Sequence, residues 1–144
     1  MKIKTSLIPL VMIVLMGICI FAPIVSAETA EEWNEKGIDF RDSGEYEKAI
    51  ECSDKAIELD PNYGDAYNTR GIVYDDLKQY ERAIEDYNKA IELDPNGAYA
   101  YNNRGVTYNN LKKYKKAITD FDQAILLDLK YAGFITIVDL LMPD

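Results

Sequence analysis

From about Ala30 onward, the apolar positions of this chain fall three and four residues apart, as in Ala49, Ile50, Ala56 and Ile57. That spacing gathers apolar side chains on one face of an α-helix. The helical stretches come in pairs. Short turns separate the members of each pair, near Asp42-Ser43-Gly44, Asp76-Leu77-Lys78 and Asn110-Leu111-Lys112. Asp60-Pro61 and Asp94-Pro95 stop the second member, because proline pushes the residue before it out of the helical region. The pattern predicts helices and no strands, arranged as three hairpins.

One period orders the hairpins. Gly37, Gly71 and Gly105 are each 34 residues apart, and so are Tyr46, Tyr80 and Tyr114. The same step joins Ala49, Ala83 and Ala117, then Ile50, Ile84 and Ile118, then Ala56, Ala90 and Ala124, then Leu59, Leu93 and Leu127. The residue types explain the spacing. Gly37, Ala49 and Ala56 are small and let two helices approach closely. Trp33, Phe40 and Tyr46 fill the remaining gaps. A single hairpin cannot bury its apolar face, and about three stacked hairpins are the usual minimum.

These positions resemble the tetratricopeptide repeat. The family's aromatic, Gly, aromatic, Ala, aromatic, Ala and Pro sites fall on Trp33, Gly37, Phe40, Ala49, Ser53, Ala56 and Pro61. In the second unit they are Tyr67, Gly71, Tyr74, Ala83, Tyr87, Ala90 and Pro95. In the third they are Tyr101, Gly105, Tyr108, Ala117, Phe121 and Ala124, with Leu129 in place of the proline. Ser53 departs from the pattern. So do Lys36, Arg70 and Arg104, which replace an apolar residue before the glycine and whose stems can cover apolar surface while the charge stays wet. The resemblance implies an all-α fold, a right-handed α-solenoid of three helix hairpins. The units run over residues 30–63, 64–97 and 98–131, with an atypical tail at 132–144.

Residues 1–27 follow the plan of an export signal. Lys2 and Lys4 form a positive end, Leu7 to Val25 is almost wholly apolar, and Val25-Ser26-Ala27 offers a cleavage-like site. Either this segment is cleaved, or it stays as an anchor. The apolar run of 19 residues is close to the roughly 20 that span a bilayer, although Pro9 and Pro23 shorten its helical part. A lipoprotein signal is rejected, because Ile18 rather than a small residue precedes Cys19. In both cases the repeats are expected outside the cytoplasmic membrane, touching it only through residues 7–25 if the segment is retained.

The charge balance narrows the partners. The chain of 144 residues carries a net charge of −9. Lys2 and Lys4 are the only charges before Glu28, so the remainder holds 14 basic and 25 acidic residues, a balance of −11. That excludes nucleic acid, whose phosphates call for clustered Lys and Arg. Catalysis fails on inventory. The chain has no histidine, no glycine-rich phosphate loop and no cysteine pair with zinc spacing. Asp75 and Asp76 are adjacent on a helix and point about 100° apart, so they make no chelating face. Cys52 stands alone after the leader and reads as a packing residue. No cofactor or metal is expected.

The family resemblance implies a concave groove lined by the first helix of each pair, which binds a partner protein or peptide. Its positions here are Asn34, Ile38, Arg41, Asp65, Asn68, Thr69, Ile72, Asp75, Tyr99, Asn102, Asn103, Val106 and Asn109. This surface is polar, rich in asparagine and partly acidic. Asparagine both donates and accepts, which suits an extended backbone. Tyr99 and Ile72 are the candidate apolar anchors. One subset of the family grips a terminal carboxylate with Lys, Asn and Arg. The matching positions here hold Asn34, Ile38, Thr69, Tyr99 and Asn103, none of them basic. Rival readings are a structural protein that self-associates through the array ends, and the remnant of a longer scaffold.

The tail from Phe134 to Met142 is apolar, where a solenoid normally ends in a polar cap. One reading folds Phe134, Ile137, Val138 and Leu141 over the third unit as an apolar cap. A second comes from the genetic code. Read one base earlier, the codons for Phe134 to Asp144 permit a tyrosine, two asparagines, an arginine and a glycine in succession. That repeats Tyr101-Asn102-Asn103-Arg104-Gly105 in the register of the period. The expectation is a frameshifted fourth unit and a longer ancestral array. Sequencing the DNA through codons 125–144 and beyond should spell those residues in the shifted frame, and any other sequence there ends the idea.

Overall fold

The first helix begins where Thr29 can cap it. Thr29 Oγ1 accepts from the Glu32 backbone N–H at 3.2 Å, and the Glu32 carboxylate accepts from Thr29 N–H at 2.9 Å. This reciprocal box satisfies two donors that a helix start leaves bare. The computed structural model describes residues 27–128. It contains helices α1 (Ala30–Asp42), α2 (Tyr46–Leu59), α3 (Gly64–Asp76), α4 (Tyr80–Leu93), α5 (Ala98–Asn110) and α6 (Tyr114–Leu127). Corresponding helices start 34 residues apart, and no strand occurs among the described residues. The leader before Ala27, the chain from Leu129, and with it the tail at 132–144 lie outside the described residues.

Each hairpin turns through one left-handed residue. Gly44 takes φ 76°, whereas Lys78 and Lys112 take φ 58°. The N–H of the next residue reaches back to the last turn, as in Glu45 N to Phe40 O and Gln79 N to Tyr74 O, both 2.8 Å. This pattern closes the helix ends. Between hairpins, Asp60 and Asp94 take extended backbone, as their prolines require. Asp128 does the same with Leu129 after it, and α6 still ends at Leu127. The missing proline therefore leaves this helix end unchanged.

Within a hairpin the helices touch at the periodic glycine. A Cβ built on Gly71 would lie 2.7 Å from the Tyr87 ring, and one on Gly105 would lie 2.7 Å from the Phe121 ring. Both rings are buried. In the first unit Ser53 replaces the ring, and a Cβ on Gly37 would meet Ser53 Oγ and the Ala49 carbonyl at 3.3 Å and Cys52 Cβ at 3.5 Å. Cys52 packs beside it, and burial and Glu51 push its thiol pKa up.

Between hairpins the joints are polar as well as apolar. Arg70 on α3 donates to both oxygens of Asp86 on α4, at 2.8 and 2.7 Å, and to Asp54 on α2 of the preceding unit. Arg104 repeats the motif with Asp120 on α6 and Asn88 on α4. These arginines were expected to keep their charges in water. Instead the heads are part-buried in two-pronged pairs, because acids stand 16 residues on to receive them. In the first unit Cys52 occupies that station, and Lys36 turns to Glu28. A second joint ties α5 to α3, where Thr107 Oγ1 donates to Asp75 Oδ1 at 2.7 Å. Burial raises the Asp75 pKa, the Thr107 hydrogen bond opposes the rise, and Asp76 adds to it.

Two outcomes follow from this packing. Gly71→Ala should lower stability by about 1–3 kcal/mol, since the Tyr87 ring has nowhere to move. Gly37→Ala should stay within about 1 kcal/mol of wild type, because helix propensity offsets its milder contacts. Urea unfolding of both variants checks this, and equal losses would refute it. Asp75 gives a pH test. Its folded pKa lies above the unfolded one, so the stability its proton supplies is present below about pH 4 and is lost as pH rises through the folded pKa. Asp75→Asn should therefore melt higher than wild type at pH 7, with the gap closing on acidification. A lower melting temperature at pH 7 would contradict the burial cost.

Candidate binding groove

The first helices pack directly on one another, α1 on α3 and α3 on α5, while α2 and α4 pack onto the first helix of the next unit. The line α1–α3–α5 therefore forms the inner side of the array. Every residue expected in the groove lies on it: Asn34, Ile38 and Arg41 on α1; Asp65, Asn68, Thr69, Ile72 and Asp75 on α3; Tyr99, Asn102, Asn103, Val106 and Asn109 on α5.

Their accessibility differs. Asp65, Ile38 and Tyr99 are exposed, and Tyr99 keeps 61% of its surface. Asn68, Asp75, Asn103, Asn109 and Arg41 are half-buried. Asn34, Thr69 and Asn102 are buried, with only 5–8% exposed. The two expected apolar anchors separate. Tyr99 stands out, whereas Ile72 packs against the cluster of Tyr74, Ala83 and Tyr87. Val106 likewise packs on Ala117 and Phe121. The repeat core claims both aliphatic residues.

Asparagines link the units. Asn103 Nδ2 donates to Asn68 Oδ1 at 3.1 Å across the α3–α5 contact, and Asn102 Nδ2 leans toward Asn103 Oδ1 at 3.5 Å. The side-chain oxygens of Asn34, Asn102 and Asn109 are buried without a donor. Arg41 is paired with the neighbouring Asp42.

Residues outside the expected set also shape the groove. Tyr63, the residue before α3, packs on Ala30, Ala56 and Ala66, and its hydroxyl meets the Asn34 side chain. This is why Asn34 is covered. Burial, with Asp65 and Glu31 nearby, raises the Tyr63 pKa. At the next junction a cavity of about 260 Å³ opens beside Asn68 and Tyr99. The signal for it lay in the period itself, where Gly97 occupies the register of Tyr63.

Comparison with known proteins agrees with this architecture. The tetratricopeptide-repeat profile matches residues 64–96 and 98–131, and a second TPR-repeat profile matches 37–78. The first TPR domain of Spaghetti (RPAP3), bound to the HSP90 peptide SRMEEVD, is similar with a TM-score of 0.73 and 26% identity, over 78% of this chain and 91% of that one. Its second TPR domain, bound to the same peptide, gives 0.67 and 32%, over 70% and 94%. The TPR domain of Arabidopsis OM64 gives 0.74 and 25%, over 79% and 97%. No curated protein matches the chain. Periodicity, helix order, profile matches and structural neighbours agree, and the chain belongs to the tetratricopeptide-repeat family.

Proposed function

We propose that this protein is a non-enzymatic scaffold that binds an extended segment of a partner protein along the inner face of α1, α3 and α5. The carrying observation is the row of asparagines on that face, of which Asn68, Asn103 and Asn109 keep part of their surface accessible while Asn34 and Asn102 lie buried beneath. Amides of this kind match the alternating N–H and C=O groups of an extended chain. The Spaghetti domains, with peptide SRMEEVD bound, supply the precedent for the fold.

The partner differs in charge from that peptide. Asn34, Ile38, Thr69, Tyr99 and Asn103 stand at the positions of a Lys, Asn and Arg carboxylate clamp with no base among them, and Asp65 and Asp75 add negative charge. An acidic tail is a poor match. The reading also places the array outside the cytoplasmic membrane, which rests on Lys2, Lys4, the apolar run 7–25 and Val25-Ser26-Ala27. Head-to-tail self-association gains no support from the N-terminal end. Glu32 stands there in the register of the buried Ala66 and Ala100, so stacking would bury a charge.

Protein recovered from outside the cytoplasm is the starting material, and failure to find it there removes the export part of the reading. Panning a random linear peptide library against it should yield binders. Their affinity should fall about tenfold in Asn103→Ala, the loss of roughly one good hydrogen bond. Binders indifferent to Asn68→Ala and Asn103→Ala would place recognition elsewhere and end the groove reading.

A further inference from the structure

The two junctions between units follow one plan with one substitution. At the first, the backbone of Tyr63 has φ −78° and ψ 90°, and its ring covers Ala30 and Asn34. At the second, Gly97 has φ −74° and ψ 96°, the same conformation with no side chain. Gly64 also replaces the methyl of Ala30 in the wall. The volume that a tyrosine fills at one junction is thus empty at the other, and this is the cavity of about 260 Å³. That is below the ~300–1,000 Å³ of drug-sized sites and suits a single side chain.

Its lining has a definite chemistry. Asp65 on α3 and Asp94 at the end of α4 contribute carboxylates, Tyr63 and Tyr99 contribute aromatic surface, and Asn68 contributes an amide. Asp94 Oδ1 is held by the Asn96 N–H at 3.0 Å. Asp94 Oδ2 lies 2.8 Å from where a Cβ on Gly97 would be. The N-termini of α3 and α5 and the C-terminus of α4 also open here. Their half-charges sum to about +0.5, which two full carboxylate charges outweigh. No basic residue lines the cavity. At the first junction Tyr63 meets Asn34, whereas Asn68, the matching residue, is bonded to Asn103 and faces the hole.

We propose that this cavity takes a lysine or arginine side chain of the segment bound in the groove, with its stem against Tyr63 and Tyr99 and its charge between Asp65 and Asp94. Aromatic faces and carboxylates together favour a cation with an apolar stem over an aliphatic chain of equal length. The cavity opens beside Asn68 and Tyr99, on the same inner face, so the inference deepens the groove reading and rests on it for the source of the side chain.

The test uses two probes, N-acetyl-lysine methylamide and its norleucine counterpart, titrated into ¹⁵N-labelled protein. The lysine probe should shift the amide resonances of Gly64, Asp65 and Gly97 saturably and bind at least about fivefold tighter than norleucine, the sum of one cation–π contact and one exposed ion pair. Asp94→Asn should reduce that preference. Gly97→Tyr should abolish probe binding and keep the fold, because the Tyr63 junction shows that this backbone accepts a tyrosine once the aspartate side chain swings aside. Equal binding of both probes, or undiminished lysine binding in Gly97→Tyr, overturns the proposal. Library peptides that need Asn103 but show no basic preference would sink the cavity and leave the groove standing. Lysine binding without any peptide binder would do the reverse.

Discussion

The structure depends on how closely the two helices of a hairpin can approach. At Gly71 and Gly105 that approach leaves no room for even a methyl group beneath the Tyr87 and Phe121 rings. Everything on the inner face follows from it. With the second helix held tight on the outer side, the first helices pack directly on each other, and Asn68 comes within hydrogen-bonding distance of Asn103. The inner face is thus shaped by core packing between the two helices of each hairpin. The first unit relaxes the constraint, with Ser53 under Gly37, and it also carries the Thr29–Glu32 box and a charged outer position at Glu32.

Much of this was legible in the sequence because a repeat reports its own geometry. Three copies of Gly, Ala and aromatic positions at one period define both helices and the contact between them. The turns at Gly44, Lys78 and Lys112 were equally plain. What the period hid was partnership. Arg70 and Arg104 read as snorkelling stems because their acids lie 16 residues away on another helix, where no local rule connects them. Burial within the groove was hidden too. Asn34 looks solvent-facing on a helical wheel, yet it is covered by Tyr63, a loop residue outside any wheel. The cavity was visible only as a difference between copies, a glycine at 97 in the register of Tyr63.

The acidic balance also acquires a place in the structure. Part of it is spent internally on Asp54, Asp86 and Asp120, which tie the units through arginine. Another part, Asp65, Asp75 and Asp94, faces or flanks the inner side, where no arginine neutralises it. The same residue type thus serves cohesion in one row and the character of the groove in the other.

The guanidinium of Arg70 touches α2, α3 and α4 at once. A guanidinium bonded to two units braces the joint between them, alongside the apolar packing of Ala30, Ala56 and Ala66. On the proposed reading, an array braced in this way presents one curvature to a bound segment, and the ordering entropy of association would fall mainly on that segment.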